Sequence, residues 1–536
     1  MLLTIAAVAG CHATDKLFCD KNGCAWTDAE WARIQTLSPL PKPPVDLSNA
    51  YESVDEVAAL GKAFYFDPKF SGAATLVDSI NRPVAAARAA KGSAINISCA
   101  TCHDPMHAGT DVSSVPNTLS IGAGIYDVNG QQTLNAAFYP LLYWNGRSDS
   151  LWSQALAVNE SGFSMNSTRL QDFWVIVDNY ADAYNAVFPT ALPAAPTTTD
   201  FPLNGKPGSD SSCDPSSKTE PFSDAFDCMT AANKAIVNRV FVNFGKAIAA
   251  YEHTLSSRNS PFDRFVEQGP GSGWISPAAE RGARLFVGKA SCIDCHNTPL
   301  FSDTKFHDIG VPQAGDHVPT VEACATGTNC NCSPDTNLST CEPAGAWSGT
   351  FKLLSGKFQK TSEWSDDPYA AEPCATTEVG VTPDCPAPPV ASPTLKGAWR
   401  TPSLRDVALT APYMHDGYYQ TLTDVVQHYN HGGVAGAGNT FTLPLCSGDD
   451  AGPDCAVSAA ADPGLAVQIK PLDLTDDEVA DLVAFLETLT GQSAGLDAGT
   501  SVDAHPAPDA HPPADAPADG HASMDGQPRG DGSPGQ

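Results

Sequence analysis

The chain has 536 residues, 42% of them hydrophobic, and carries 61 acidic against 30 basic side chains for a formal net charge of −31. That length holds about two to four domains and enough apolar content for real cores. The acidic excess excludes nucleic acid and anionic membrane surfaces as electrostatic partners, and leaves a cationic redox protein compatible.

In chain order, Met1 to Gly10 is a short apolar stretch ending Val8-Ala9-Gly10-Cys11. Small residues before a cysteine resemble the lipobox of bacterial lipoproteins, although the usual basic flank is missing. No other segment is long enough to span a membrane. The expectation is an exported protein of the periplasm or cell envelope, lipid-anchored at Cys11. Residues 12–50 contain Cys and Pro and end in Ser38-Pro39-Leu40-Pro41-Lys42-Pro43-Pro44, so 1–50 reads as signal and stiff leader.

A helical pattern follows in Val54, Val57, Ala58, Leu60 and Gly61, running into Phe64-Tyr65-Phe66-Asp67-Pro68. Then comes Cys99-Ala100-Thr101-Cys102-His103, a pattern that returns as Cys292-Ile293-Asp294-Cys295-His296. Two thiols at this spacing form thioethers to the vinyls of one haem, and the adjacent imidazole reaches its iron. Two zinc half-sites or a Cys-X-X-Cys redox pair would not require His at both fifth positions. The reading is therefore two haem c groups, held by Cys99, Cys102 and His103 and by Cys292, Cys295 and His296.

Between the motifs, residues 232–255 have helical spacing in Ile236, Val240, Val242, Phe244, Ile248, Tyr251 and Leu255, and Pro277–Val287 leads into the second motif. Residues 312–392 are rich in Cys, Pro, Gly and Thr, and read as a disulfide-pinned insertion. A last helix spans Leu474–Leu489, with Thr475 and Glu478 forming a capping box. From 492 to 536 seven Asp face one Arg, and few apolar anchors remain, so this acidic tail is expected to be disordered.

Of 17 cysteines, those outside the motifs and Cys11 fall in local groups: Cys19/Cys24, Cys213/Cys228, Cys324/Cys330/Cys332/Cys341, Cys374/Cys385 and Cys446/Cys455. They read as about six disulfides formed in an oxidising compartment. His103 and His296 are too far apart in sequence for one small cytochrome fold. The expected fold is mainly α, with two cytochrome c-like helical lobes at 51–256 and 257–491.

Further strings surround the motifs: Leu60-Gly61-Lys62, Tyr143-Trp144-Asn145-Gly146-Arg147, Tyr251-Glu252-X-Thr254-Leu255, and Thr401-Pro402-Ser403-Leu404-Arg405 followed by Ala411-Pro412-Tyr413-Met414-His415-Asp416-Gly417. With the motifs, in this order, they resemble the bacterial dihaem cytochrome c peroxidase family, which includes the MauG-type enzymes. The resemblance implies a peroxidatic N-terminal haem that reduces hydrogen peroxide. Its electrons would come through the C-terminal haem from a small redox protein, a cytochrome c or cupredoxin. It also implies a bridging role for Trp144 and one calcium ion at Asn129, Thr410 and Pro412. A homodimer stands among the expected assemblies.

Two departures sharpen this. Where reductively activated members place a distal His, the chain reads Ser120-Ile121-Gly122-Ala123-Gly124, so the first iron is expected to keep an open face. Where the family has a distal Glu, Ser164 precedes Met165, and serine is a poor acid–base catalyst. Glu160, one helical turn earlier, is the expected substitute, with Gln154 facing the pocket and His107 a further proton handler. At the second haem the family's sixth ligand aligns with Tyr429, with His428, His431 and Met414 as rivals. The resulting expectation is a dihaem peroxidase. Its alternatives are a MauG-type enzyme that oxidises a protein residue, favoured by Ala123 and Tyr429, and a non-enzymatic electron-transfer module, favoured by Ser164.

Overall fold

Helices dominate the chain, and short strand pairs stitch distant segments together. The computed structural model describes residues 19–20, 23–24, 26–78, 83–84, 88–111, 119–208, 213, 223–311, 345–367, 398–433 and 469–494. Cys11, the tail beyond 494 and the cysteines at 324, 330, 332, 341, 374, 385, 446 and 455 lie outside them. Among the described residues, no helix is long and apolar enough to cross a membrane.

The main helices are α1 (Asp28–Gln35), α2 (Asp55–Phe66), α3 (Leu151–Asn159), α4 (Arg169–Val187), α5 (Ala231–Thr254), α6 (Pro261–Gln268), α7 (Pro277–Val287), α8 (Gly345–Ser355), α9 (Leu422–Asn430) and α10 (Asp476–Glu487). Most start on a side-chain cap. Thr168, Thr230, Ser260, Ser276, Thr421 and Thr475 each accept a backbone N–H of the first turn. Helix α2 lacks such a cap, but Asp55 and Glu56 complement its N-terminal dipole, and it stops before Pro68.

Two separate apolar clusters organise these helices. The first joins α2, α3, α4 and α5 through Phe64, Trp152, Phe173, Phe241 and Phe244. The second joins α6, α7, α9 and α10 through Phe262, Phe286, Val426 and Phe485. Burying each large side chain contributes about 1.5–3 kcal/mol. Each cluster is built on one close helix pair with a glycine at the crossing. A Cβ on Gly61 of α2 would strike the Ala247 carbonyl of α5, and one on Gly282 of α7 the Asp481 carbonyl of α10.

Three features differ from the sequence reading. The leader is not a detached spacer: α1, opened by a Thr27–Glu30 capping box, buries Ile34 in the second cluster, and Leu37 beyond it joins the same cluster. The 312–392 insertion contains α8, and its return limb packs on the first cluster. Phe358 meets Phe241 at 5.9 Å, and Lys246 pairs with Asp366 at 2.7 Å. The acidic tail begins later than 492, because Gln492–Ala494 pairs antiparallel with Ser256–Arg258. Of the expected disulfides, Cys213–Cys228 is bonded, and the backbone of Cys19 is in register with that of Cys24 in a two-residue strand pair.

Candidate active site

Each Cys-X-X-Cys-His motif forms one tight turn that brings both thiols and the imidazole to one side. In the first, Cys99–Cys102 is a single helical turn after Ser98, and the His103 N–H donates to the Cys99 carbonyl at 2.9 Å. His103 Nδ1 lies 2.9 Å from the Gly109 carbonyl, which fixes a proton on Nδ1 and leaves Nε2 as a lone-pair donor. Gly109 has φ +73°, and a Cβ there would strike the Thr133 hydroxyl. Only glycine lets that carbonyl approach. The second motif repeats the device: His296 Nδ1 donates to the Phe301 carbonyl at 2.6 Å, and the His296 N–H to the Cys292 carbonyl at 3.0 Å. Burial lowers the pKa of both imidazoles, which keeps them neutral as a metal ligand requires. It also pushes the Cys102 and Cys292 thiols up to about 12. Neither pair is disulfide-bonded.

The first motif opens on a cavity with about 1310 Å³ of empty space including its open mouth. His103 is the only imidazole among its lining residues, with Cys99 and Cys102 beside it. Paired thiols and a pre-oriented imidazole on one cavity wall fit a covalently attached haem. Gln154, Asn159, Ser164 and Met165 contribute to the wall. Ala123 is not on that wall: it is fully buried with Ala74, Ile95, Ile97 and Met165, and its N–H donates to the Ser164 carbonyl at 2.7 Å.

Trp144 also lines the cavity, and its indole N–H donates to the Asn129 carbonyl at 2.9 Å. Its ring lies 6.4 Å from that of His415, which stacks on Trp399 at 4.2 Å. Asn129 meets the expected calcium partner Pro412, its Nδ2 donating to that carbonyl at 2.6 Å, while Asn129 Oδ1 is buried without a partner. Thr410, two residues before Pro412, turns its hydroxyl to the Val407 carbonyl at 3.1 Å. A buried orphan oxygen beside a carbonyl suits a hard cation.

Two expected proton handlers sit elsewhere. Glu160 caps the C-terminus of α3 and is not among the lining residues. Its carboxylate is held by Arg169 at 2.7 and 2.9 Å, an internal ion pair rather than a group facing the cavity. His107 pairs with Asp104 at 3.0 Å on the turn after the motif, also off the lining. The carboxylic acid that does line the cavity is Glu252 on α5, which the helical stripe of apolar residues did not single out. Burial pushes its pKa up to about 8, so it is mostly protonated at neutral pH. The string Tyr251-Glu252-X-Thr254 was its available signal.

At the second motif, Tyr429 on α9 is close enough to Cys295 and Cys292 to feel their charge, and burial raises its hydroxyl pKa. Its neighbour His428 is occupied on both ring nitrogens, by the Tyr419 hydroxyl at 2.9 Å and the Ile309 carbonyl at 2.9 Å. That leaves His428 no lone pair for iron. Asp303 and His307 pair at 2.7 Å beside Cys295, and the hydrogen bonds His307 donates to Asp303 and Cys295 push its pKa up to about 10.

Comparison with known proteins agrees with this geometry. Residues 55–203 match the family model described as Di-haem cytochrome c peroxidase. Cytochrome-c peroxidase IdrP1 of Denitromonas iodatirespirans is 28% identical over 467 residues, 86% of this chain and 87% of that protein. Methylamine utilization protein MauG of Methylorubrum extorquens is 27% identical over 449 residues, 82% and 80% of the two chains. Cytochrome c551 peroxidase of Pseudomonas aeruginosa is 23% identical over 390 residues, 72% and 75%. A mainly helical chain with two Cys-X-X-Cys-His turns, similar along most of its length to these proteins, is a peroxidase-like oxidoreductase that resembles the dihaem cytochrome c peroxidase and MauG family.

Proposed function

We propose that the protein reduces hydrogen peroxide at a haem c carried by Cys99, Cys102 and His103. Electrons would enter through a second haem c on Cys292, Cys295 and His296 from a small redox protein, a cytochrome c or cupredoxin. The carrying observation is the inequality of the two motifs. One opens on a large cavity with a single imidazole, and the other lies against Tyr429. When bound, the first haem supplies an iron with one protein ligand and one face for peroxide. The chain's own residues do the rest. His103 is oriented by Gly109, Trp144 stands on the wall fixed by Asn129, and Gln154 and Ser164 supply polar groups there.

Glu160 works at a distance in this reading, holding Arg169 and the end of α3. Glu160→Gln is expected to leave peroxide turnover within about twofold while lowering stability by about 2–4 kcal/mol, since it uncouples a largely buried ion pair. A tenfold loss of rate with stability intact would return Glu160 to the proton pathway. Turnover itself is tested by adding hydrogen peroxide with reduced cytochrome c and following its oxidation; no oxidation above a heat-treated control rejects the peroxidase reading.

A second reading has its own support in Tyr429: the peroxide is spent on oxidising a residue of another protein, as in MauG-type enzymes. The domain boundary near 256, a calcium ion at Asn129, Thr410 and Pro412, export to the periplasm and a lipid on Cys11 complete the proposal. The Cys213–Cys228 disulfide supports export.

A further inference from the structure

One charge on the cavity wall has no role in the reading above. Arg400 lies on the short strand Trp399–Arg400, in the second half of the chain, yet it lines the cavity of the first motif. It is only 3% exposed. Its backbone N–H donates to the Trp144 carbonyl at 2.8 Å, and its Nε to the Tyr143 carbonyl at 3.3 Å. Its guanidinium carbon sits 3.4 Å from the centre of the Tyr139 ring, so the fork is clamped in one plane. Nη1 is buried without a hydrogen-bond partner, and among the described residues no carboxylate pairs with it.

A guanidinium does not escape burial by losing its proton. Leaving it buried and unpaired costs several kcal/mol, and that cost is relieved only when an anion enters beside it. Among the cavity's lining residues Arg400 is the only cation, and the only acid, Glu252, is held mostly neutral by burial. The missing anion therefore comes with whatever fills the cavity. A planar fork of N–H donors matches a carboxylate in two-point fashion.

We propose that Arg400 binds a propionate carboxylate of the haem attached at Cys99 and Cys102. The inference rests on the proposed occupancy of that cavity. Arg400 is then a positioning residue: the second half of the chain supplies the counter-charge of the first haem, and a fixed cation beside that group favours its reduced form.

The test uses the purified holoprotein with Arg400→Gln and Arg400→Lys, counting haem per chain from the pyridine haemochrome before a spectroelectrochemical titration. With two haems attached, Arg400→Gln is expected to shift the reduction equilibrium of one haem at least tenfold towards ferric, about 59 mV, and to leave the other unchanged. Arg400→Lys keeps the charge and recovers most of that shift, but it loses the fork. The propionate bending band in the resonance Raman spectrum therefore moves in both variants. Unchanged potentials in Arg400→Gln, or an unmoved band in Arg400→Lys if the glutamine variant does not fold, overturn the proposal. A wild-type protein with no haem on Cys99 and Cys102 instead removes the reading beneath it.

Discussion

His103 and His296 are set by the same local device, a ring nitrogen donated to a backbone carbonyl a few residues on, so what separates the two sites lies opposite them. At the second motif the proposed ligand is Tyr429, which feels the charge of Cys295 and Cys292, since His428 spends both nitrogens on Tyr419 and Ile309. Tyr429→Met is expected to raise the midpoint potential of one haem and leave the other in place, because a thioether favours ferrous iron more than a phenolate does. Potentials unaltered in both haems would take Tyr429 out of the coordination sphere. At this scale the two Cys-X-X-Cys-His strings stood out in the sequence because the proposed haem attachment dictates their spacing. Glu252 and Arg400 were not. Each becomes a cavity residue only through packing that joins positions far apart in sequence, and Glu160 lay close in sequence yet was turned to Arg169.

Elements follow from periodicity and caps where these are strong. The stripe from Ile236 to Leu255, the Pro277–Val287 segment and the Thr475–Glu478 box all correspond to observed helices. The amphipathic α1 and the α8 segment were overlooked because neighbouring Pro, Gly and Cys signalled loop, and tertiary contacts stabilise both. Glycine tells more than propensity at the two helix crossings. Gly61→Leu would drive a side chain into the Ala247 carbonyl, and Gly282→Leu into that of Asp481. Each is expected to cost at least about 3 kcal/mol in denaturant unfolding, or to abolish soluble expression, whereas Gly92→Ala meets no atom within 4 Å and should cost only the about 1–2 kcal/mol of its positive φ. Equal stability in all three would mean the helix pairs do not cross this closely.

For the whole molecule, two apolar clusters hold the helices, and the antiparallel pair of Ser256–Arg258 with Gln492–Ala494 ties 256–258 to the last described residues. The separation of the motifs led to an expectation of two lobes at 51–256 and 257–491, but gave no sign that α1 packs in the second apolar cluster and the 345–367 limb on the first. Stability should also carry a pH signature from Glu52, a buried carboxyl whose pKa burial pushes up to about 7. The native state holds that proton where the unfolded chain has lost it. The contribution is therefore greatest below about pH 4.5 and is lost as pH rises through 7, a few kcal/mol at most. Glu52→Gln should flatten that slope in guanidinium unfolding at pH 5 and 7.5; a parallel slope in both proteins would reject the assignment.

The inequality of the two haem sites is tested most directly by the low-temperature EPR spectrum of the resting, fully ferric protein. One high-spin signal from the open His103 site is expected beside one low-spin signal from the His296 site. Two low-spin signals of equal weight would mean that both iron faces are filled, and would contradict the proposed division of labour.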